Sequence, residues 1–237
     1  MDKSLIMDKD CNSPSMHSEL HPVIHYLDMA TTIRNAEIAD KAGCAGIFLI
    51  HMAGQDSLLD QAAIEIKRAF PRLTIGINRL ATDPLTSIRQ NVSVGADSTW
   101  CDVCGVTSAG VDTLGVSLQT ELAKHRGHNL FGSVAFKYQR IDPYPPKAAL
   151  LAAEAGFIPT TSGTATGSAP EIGKIAAIAA ALPNRSLAVA SGITPENVSC
   201  FVPHVKHFLV STGISKSFYL FDEAKVRGLI AVLRASG

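Results

Sequence analysis

The stretch Thr161-Ser162-Gly163-Thr164-Ala165-Thr166-Gly167 closes a short apolar run with a Gly-centred turn. Two more stretches do the same further on: Ala190-Ser191-Gly192-Ile193-Thr194-Pro195-Glu196-Asn197 and Val210-Ser211-Thr212-Gly213-Ile214. Small hydroxyl residues beside glycine leave main-chain N–H groups sterically open. Three such turns meeting at one point form an anion pocket. That is the arrangement expected at the last strands of a (β/α)₈ barrel.

On either side of these turns, apolar runs alternate with helical patterns along the rest of the chain. The runs are Pro22–Asp28, Ala45–His51, Leu73–Asn78, Ser98–Val103, Leu130–Lys137, Phe157–Thr161, Ser186–Ala190 and His207–Ser211. The intervening segments carry helix punctuation. Gly43 is a stop, Asp83-Pro84 a cap with proline at the first helical position, Ser168-Ala169-Pro170-Glu171 a capping box, and Asp222 the cap of the last helix. A short helix is expected to open at Thr194-Pro195-Glu196. Strands separated by helices imply parallel pairing with right-handed crossovers. The economical fold is a single α/β domain, a (β/α)₈ TIM barrel over residues 21–237, preceded by an N-terminal extension of residues 1–20. An open doubly wound sheet places its glycine-rich loop after the first strand, and His25 to Met29 contain no glycine.

The chain has 237 residues with 21 basic and 21 acidic side chains. A balanced charge without a basic stripe argues against nucleic-acid partners. No apolar run approaches the ~20 residues that span a bilayer, so no membrane association is expected. The five cysteines are dispersed and odd in number, which points to a reducing, cytoplasmic setting rather than a disulfide framework.

Reactive groups in such barrels sit at the C-terminal ends of strands. Lys137 ends Ser133-Val134-Ala135-Phe136-Lys137, where alternation directs Lys137 with Ser133 and Ala135 inward and Val134 with Phe136 outward. An ammonium there neutralises a phosphate or, if desolvated, forms a Schiff base. Asp102 and Asp28 are the candidate acid and base, and with Lys137 they make the expected catalytic set. Gly163, Thr164, Gly167, Ser191, Gly192, Thr212 and Gly213 are the expected phosphate contacts, with Asn78, His25 and His51 as further ligand contacts. His25, His51 and Asp102 also define a weaker metal-hydrolase reading. The favoured reading requires neither a metal nor another cofactor. Cys101 and Cys104 form a lone C-x-x-C without the second pair that structural zinc wants; on a continuous strand their sulfurs would point to opposite faces.

The same Gly turns resemble those of the BtpA/SgcQ-like family, and Pro22-Val23-Ile24-His25 and Ala42-Gly43-Cys44-Ala45-Gly46 are similar as well. The strand-eight turn departs from the pattern, with Ser211 and Thr212 before Gly213 where Gly or Val is expected. The resemblance implies a cytoplasmic phosphate-gripping barrel and, in some members, a role in protein assembly. The resemblance does not settle an activity; the Gly turns and strand-end residues lead to the expectation of an isomerase, lyase or ribosyl-transfer enzyme acting on a sugar phosphate or a phosphoribosyl or nucleotide derivative, and the protein is expected to form a homo-oligomer. A non-catalytic barrel that binds a phosphometabolite is the alternative.

Overall fold

The computed structural model describes residues 17–183 and 186–236. Eight parallel strands close on themselves: β1 (Glu19–His25), β2 (Gly46–Ile50), β3 (Thr74–Asn78), β4 (Ser98–Cys101), β5 (Asn129–Ser133), β6 (Ile158–Ser162), β7 (Ala188–Ala190) and β8 (His207–Val210). Each pairs with its neighbours in sequence, and β1 meets β8 in the register Glu19 to His207 through Pro22 to Val210. The chain is a single (β/α)₈ barrel.

The helices are α1 (Met29–Ala42), α2 (Leu58–Ala69), α3 (Pro84–Ser93), α4 (Thr113–Leu122), α5 (Pro145–Glu154), α6 (Ile172–Ala181) and α7 (Glu223–Ala235). Asp28, Asp83, Asp112 and Asp222 cap α1, α3, α4 and α7 through their side chains. Each satisfies a main-chain donor that the first turn leaves unpaired. Gly43 ends α1 in a left-handed conformation at φ 78°.

Two local expectations fail. The segment Ser168–Glu171 forms no capping box, because α6 starts at Ile172 and Glu171 makes no side-chain cap. Between β7 and β8 there is only a three-residue 3-10 turn, Val198–Cys200. Asn197 accepts the Thr194 N–H and donates to the Gly192 carbonyl, so that amide is turned inward on its own loop instead of toward an anion.

Alternation along the strands builds two cores. One face packs under the helices, with Ile24, Ile47, Leu49, Ile75, Ile77, Leu130, Val189 and Phe208 buried there. The other fills the barrel axis with Val23, Phe48, Ile50, Trp100, Phe131, Ala190 and Leu209. Phe48 stands edge-on to both Trp100 and Phe131. Gly76 makes room for it, since a methyl there would lie 2.1 Å from the Phe48 ring. Each such aromatic contributes about 1.5–3 kcal/mol by burial. Leu20 is also fully buried, so the barrel begins two residues before the expected boundary. Residues 1–16 of the expected extension lie outside the described residues.

Two short hairpins decorate the C-terminal face. Val106–Thr107 pairs with Gly110–Val111 after β4, and Ser215–Ser217 pairs with Leu220–Phe221 after β8. The second is anchored by Asn35, a buried polar side chain on α1 that donates to the Tyr219 carbonyl and accepts the Phe221 N–H.

Candidate active site

A cavity of about 290 Å³ opens at the C-terminal mouth of the barrel. Val23, Ile50, Trp100 and Leu209 make its apolar floor, and Lys137, Asp102, Asn78 and His25 its ionisable and amide groups. The wall on the β7 and β8 side is Ser191, Gly192, Ser211 and Thr212, with Thr166 and Gly167 above. This is a largely apolar cleft with a few convergent polar groups, the usual make-up of a small-ligand site.

Lys137 reaches this cavity by a route that the sequence pattern did not indicate. Strand β5 stops at Ser133, and the chain then turns through left-handed residues, Ala135 at φ 46° and Tyr138 at φ 65°. Alternation is therefore reset. Phe136, expected to face outward, turns into the axial core beside Trp100 and lines the cavity. The turn is held from β6. Ala135's carbonyl accepts from the Thr161 hydroxyl and the Lys174 ammonium, and Lys137's own N–H donates to Ser162 Oγ. Gln139 ties the same loop to the residue after β4 and to the end of β5 by donating to the carbonyls of Asp102 and Ser133.

The Lys137 ammonium donates to Ser191 Oγ at 2.9 Å. It is the one lysine or arginine lining the cavity among the described residues. Burial lowers its pKa from the ordinary lysine value, and Tyr138 and Asp102 pull it part of the way back. Ser191 has φ 90°, a conformation that side chains rarely adopt, and Gly192 follows at φ 67°. The main-chain N–H groups of Ser191, Gly192 and Thr212 make no hydrogen bond to other described residues. Open donors beside a cation suit an anion.

Asn78 Nδ2 donates to Asp102 Oδ1 at 3.1 Å, which fixes that carboxylate at the opposite wall. His25 stacks on Phe218 of the second hairpin with ring centres 4.3 Å apart, and its Nδ1 lies 3.2 Å from the Phe218 carbonyl. Burial lowers the His25 pKa. Tyr138 and Thr166 meet through their hydroxyls at 3.3 Å and link the loops after β5 and β6.

Other expected site residues are placed elsewhere. Asp28 does not line the cavity. It is exposed, and its carboxylate accepts the Thr31 N–H as the α1 cap, so the expectation of a catalytic Asp28 is corrected to a structural role. His51 accepts the Gln55 N–H and leans on Tyr26, away from the lining. Thr164 is exposed on the loop after β6 and does not line the cavity. His25, His51 and Asp102 are not among the metal-competent groups of the described residues.

Gly163 and Gly213 also lie off the lining, and their contribution is to loop packing. A methyl on Gly163 would stand 2.2 Å from the Ser168 carbonyl, one on Gly192 2.0 Å from the Ala169 nitrogen, and one on Gly213 1.8 Å from the Ile193 carbonyl. The three turns are thus stacked backbone on backbone, which only glycine permits at these positions. Cys101 and Cys104 are both buried free thiols. Burial pushes the Cys104 thiol up to about 12. Cys104 follows the end of β4 and joins Cys101 in the outer core, so the two are not split across a strand.

Several site residues carried no signal in the sequence. Gln139 and Lys174 act through distant carbonyls, and Phe218 arrives on a hairpin too short to show periodicity. Arg79, at the end of β3, does not enter the cavity. It is buried in a strut, donating to Asn91 Oδ1, to the Asp56 carbonyl and to the Asp60 carboxylate.

No family model matches the chain, and no curated protein matches it. Solved structures do. Phosphoribosyl anthranilate isomerase from Thermus thermophilus superposes with a TM-score of 0.66 at 14% identity, over 92% of this chain and 98% of that one. KGPDC from Streptococcus mutans gives 0.65 at 15%, over 92% and 98%. Thiamine phosphate pyrophosphorylase from Pyrococcus furiosus gives 0.63 at 11%, over 94% and 98%. The similarity is one of fold, and it places the chain among single-domain parallel β/α barrels.

Proposed function

We propose that this protein is an enzyme acting on a small phosphorylated substrate bound at the barrel mouth. The observation that carries the reading is the Lys137 ammonium, 2.9 Å from Ser191 Oγ and next to the open main-chain donors of the β7 and β8 turns. An ammonium with two further N–H donors, facing unpaired amides, fits a phosphate better than a neutral group. The fold neighbours support the class: KGPDC is known in complex with a phosphorylated small molecule, and the other two carry phosphoribosyl and thiamine phosphate in their names.

In this reading the phosphate lies against Lys137, Ser191, Gly192 and Thr212. The remainder of the substrate crosses the apolar floor of Trp100 and Leu209 toward Asp102. Asn78 holds one oxygen of that carboxylate, which leaves the other to take or give a proton. Lys137 belongs to the phosphate end, where its positive charge offsets the ligand's negative charge. The cavity, about 290 Å³, has room for a pentose-sized molecule. Isomerase and lyase chemistry commonly uses a positioned proton-transfer group, the role this reading gives Asp102.

The test is a thermal-shift comparison of matched pairs, such as ribose 5-phosphate against ribose. The phosphorylated member raises the melting temperature in proportion to RT ln(1 + [L]/Kd). Equal shifts for both members contradict the proposal. Retained biological activity in an Asp102→Asn protein that still binds the phosphate would favour a non-catalytic phosphometabolite-binding barrel of the BtpA type.

A further inference from the structure

The opposite end of the barrel holds a second polar cluster that the mouth does not use. Glu19 and His207 are the first residues of β1 and β8 and stand in register, and His21 lies two residues along β1 on the same inward face. Three atoms form a closed triangle: Glu19 Oε2 to His207 Nδ1 is 3.1 Å, His207 Nδ1 to His21 Nε2 is 3.2 Å, and His21 Nε2 to Glu19 Oε2 is 3.3 Å. Both histidines are buried, and Glu19 is open enough to reach solvent. The His21 ring is held edge-on between Phe48 and Phe131, and His207 packs on Phe131.

Protons alone leave such a triangle frustrated. If both ring nitrogens donate to the carboxylate, two N–H groups face each other along the His–His edge. If one nitrogen gives up its proton, its lone pair faces the carboxylate oxygen. With an ionised glutamate, one of the three edges is always repulsive. A divalent cation removes the conflict, because all three atoms then point lone pairs at one centre. The size fits: a cation roughly 2.0–2.1 Å from each atom subtends ligand–metal–ligand angles of roughly 100°, near tetrahedral. Two imidazoles and one carboxylate are a donor set for zinc and its first-row neighbours, with a fourth position left for water.

We propose that Glu19, His21 and His207 bind a divalent first-row transition metal, of the zinc class, which clasps β1 to β8 at the N-terminal end of the barrel. Two ligands come from one strand and the third from its register partner, so the metal spans the seam where the first and last strands close the sheet. Holding that seam is a matter of stability, as expected at this face of a barrel.

The experiment uses the full chain, stripped with chelator and dialysed against Zn²⁺, then assayed for metal content and melting temperature. Wild type is expected to hold one equivalent that survives dialysis and to melt higher with metal than without. Glu19→Gln and His207→Gln, neither of which touches the mouth, should each weaken binding by well over the roughly 10–100-fold cost of losing an outer-shell partner. Co²⁺ loaded into wild type supplies a readout that needs no variant, namely a visible spectrum of tetrahedral intensity. Substoichiometric metal, a weak octahedral spectrum, or variants that bind and melt like wild type would each overturn the assignment.

Discussion

The Lys137 ammonium and the Ser191 hydroxyl meet at 2.9 Å across two turns that both depart from ordinary backbone geometry. Ser191 sits at φ 90°, and Lys137 lies between Ala135 at φ 46° and Tyr138 at φ 65°. These are the three non-glycine residues of positive φ among the described residues; Tyr138 and Ser191 line the mouth, and Ala135 lies in the turn that carries Lys137 to it. Each such residue costs on the order of 1–3 kcal/mol and persists where its surroundings over-determine it. Here the surroundings are Thr161, Ser162 and Lys174, whose bonds hold the Ala135 turn against β6.

Replacing Lys137 with methionine removes the cation at nearly constant length. A hydrogen bond to a charged group contributes about 1.5–3 kcal/mol, so affinity for ribose 5-phosphate should fall roughly 10- to 150-fold in a calorimetric titration, while affinity for ribose is unchanged. An equal loss for both ligands would show that Lys137 shapes the pocket without pairing with the phosphate.

The lowered pKa of Lys137 gives ligand binding a defined pH window. The proposed binding mode needs a dianionic phosphate, whose second ionisation is near pH 6, and a protonated lysine. Affinity should rise through pH 6 and fall again below the ordinary lysine range, as Lys137 loses its proton. Stability of the ligand-free protein has the opposite sign on the alkaline limb. There the unfolded chain holds the proton more tightly, so the fold gains stability as pH rises through Lys137's lowered pKa. Lys137→Arg, which stays charged, should abolish the alkaline loss of binding; a limb that persists in this variant would assign it to another group.

Ser191→Gly and Ser191→Ala both delete the hydroxyl, but only glycine accepts φ 90° without strain. The glycine variant should therefore be the more stable of the two by about 1 kcal/mol, a reversal of the order seen in regular structure, and both should bind phosphate more weakly than wild type. Denaturant unfolding of the pair measures the difference. An alanine variant at least as stable as the glycine variant would mean that the turn is unstrained.

Asp102→Asn keeps the size of the side chain and removes the proposed proton-transfer group. Once a phosphorylated substrate is identified, turnover in this variant should fall by roughly 10²–10⁴, with phosphate affinity within a few-fold of wild type. Undiminished turnover would move the chemistry to another residue, with His25 the next ionisable group on the lining.

The barrel was legible because each strand is a short apolar run and most helices announce their starts with an aspartate. Asp83, Asp222 and Gly43 do locally what their residue types prescribe. The mouth was legible in outline, since Lys137, Asp102, Asn78, His25, Ser191, Gly192, Gly167 and Thr212 do converge on one cavity. What misled was the assumption that strand alternation continues to the motif's last residue. It stops at Ser133, and a turn built by residues 26 to 39 positions away sends Phe136 inward. Asp28 illustrates the converse: a carboxylate at a strand end was equally compatible with a cap, and the Thr31 amide claims it. The Glu19, His21 and His207 cluster was invisible because its members are brought together only by closing β1 on β8.

In the proposed binding mode the phosphate of a small ligand rests on Lys137 and the β7 and β8 turns. A crystal structure of the protein soaked with ribose 5-phosphate tests it most directly. The account predicts phosphate oxygens within hydrogen-bond distance of Lys137 Nζ and the main-chain nitrogens of Gly192 and Thr212, with the sugar pointing toward Asp102. A phosphate bound elsewhere, or a mouth in which those nitrogens remain turned away from the ligand, would contradict it.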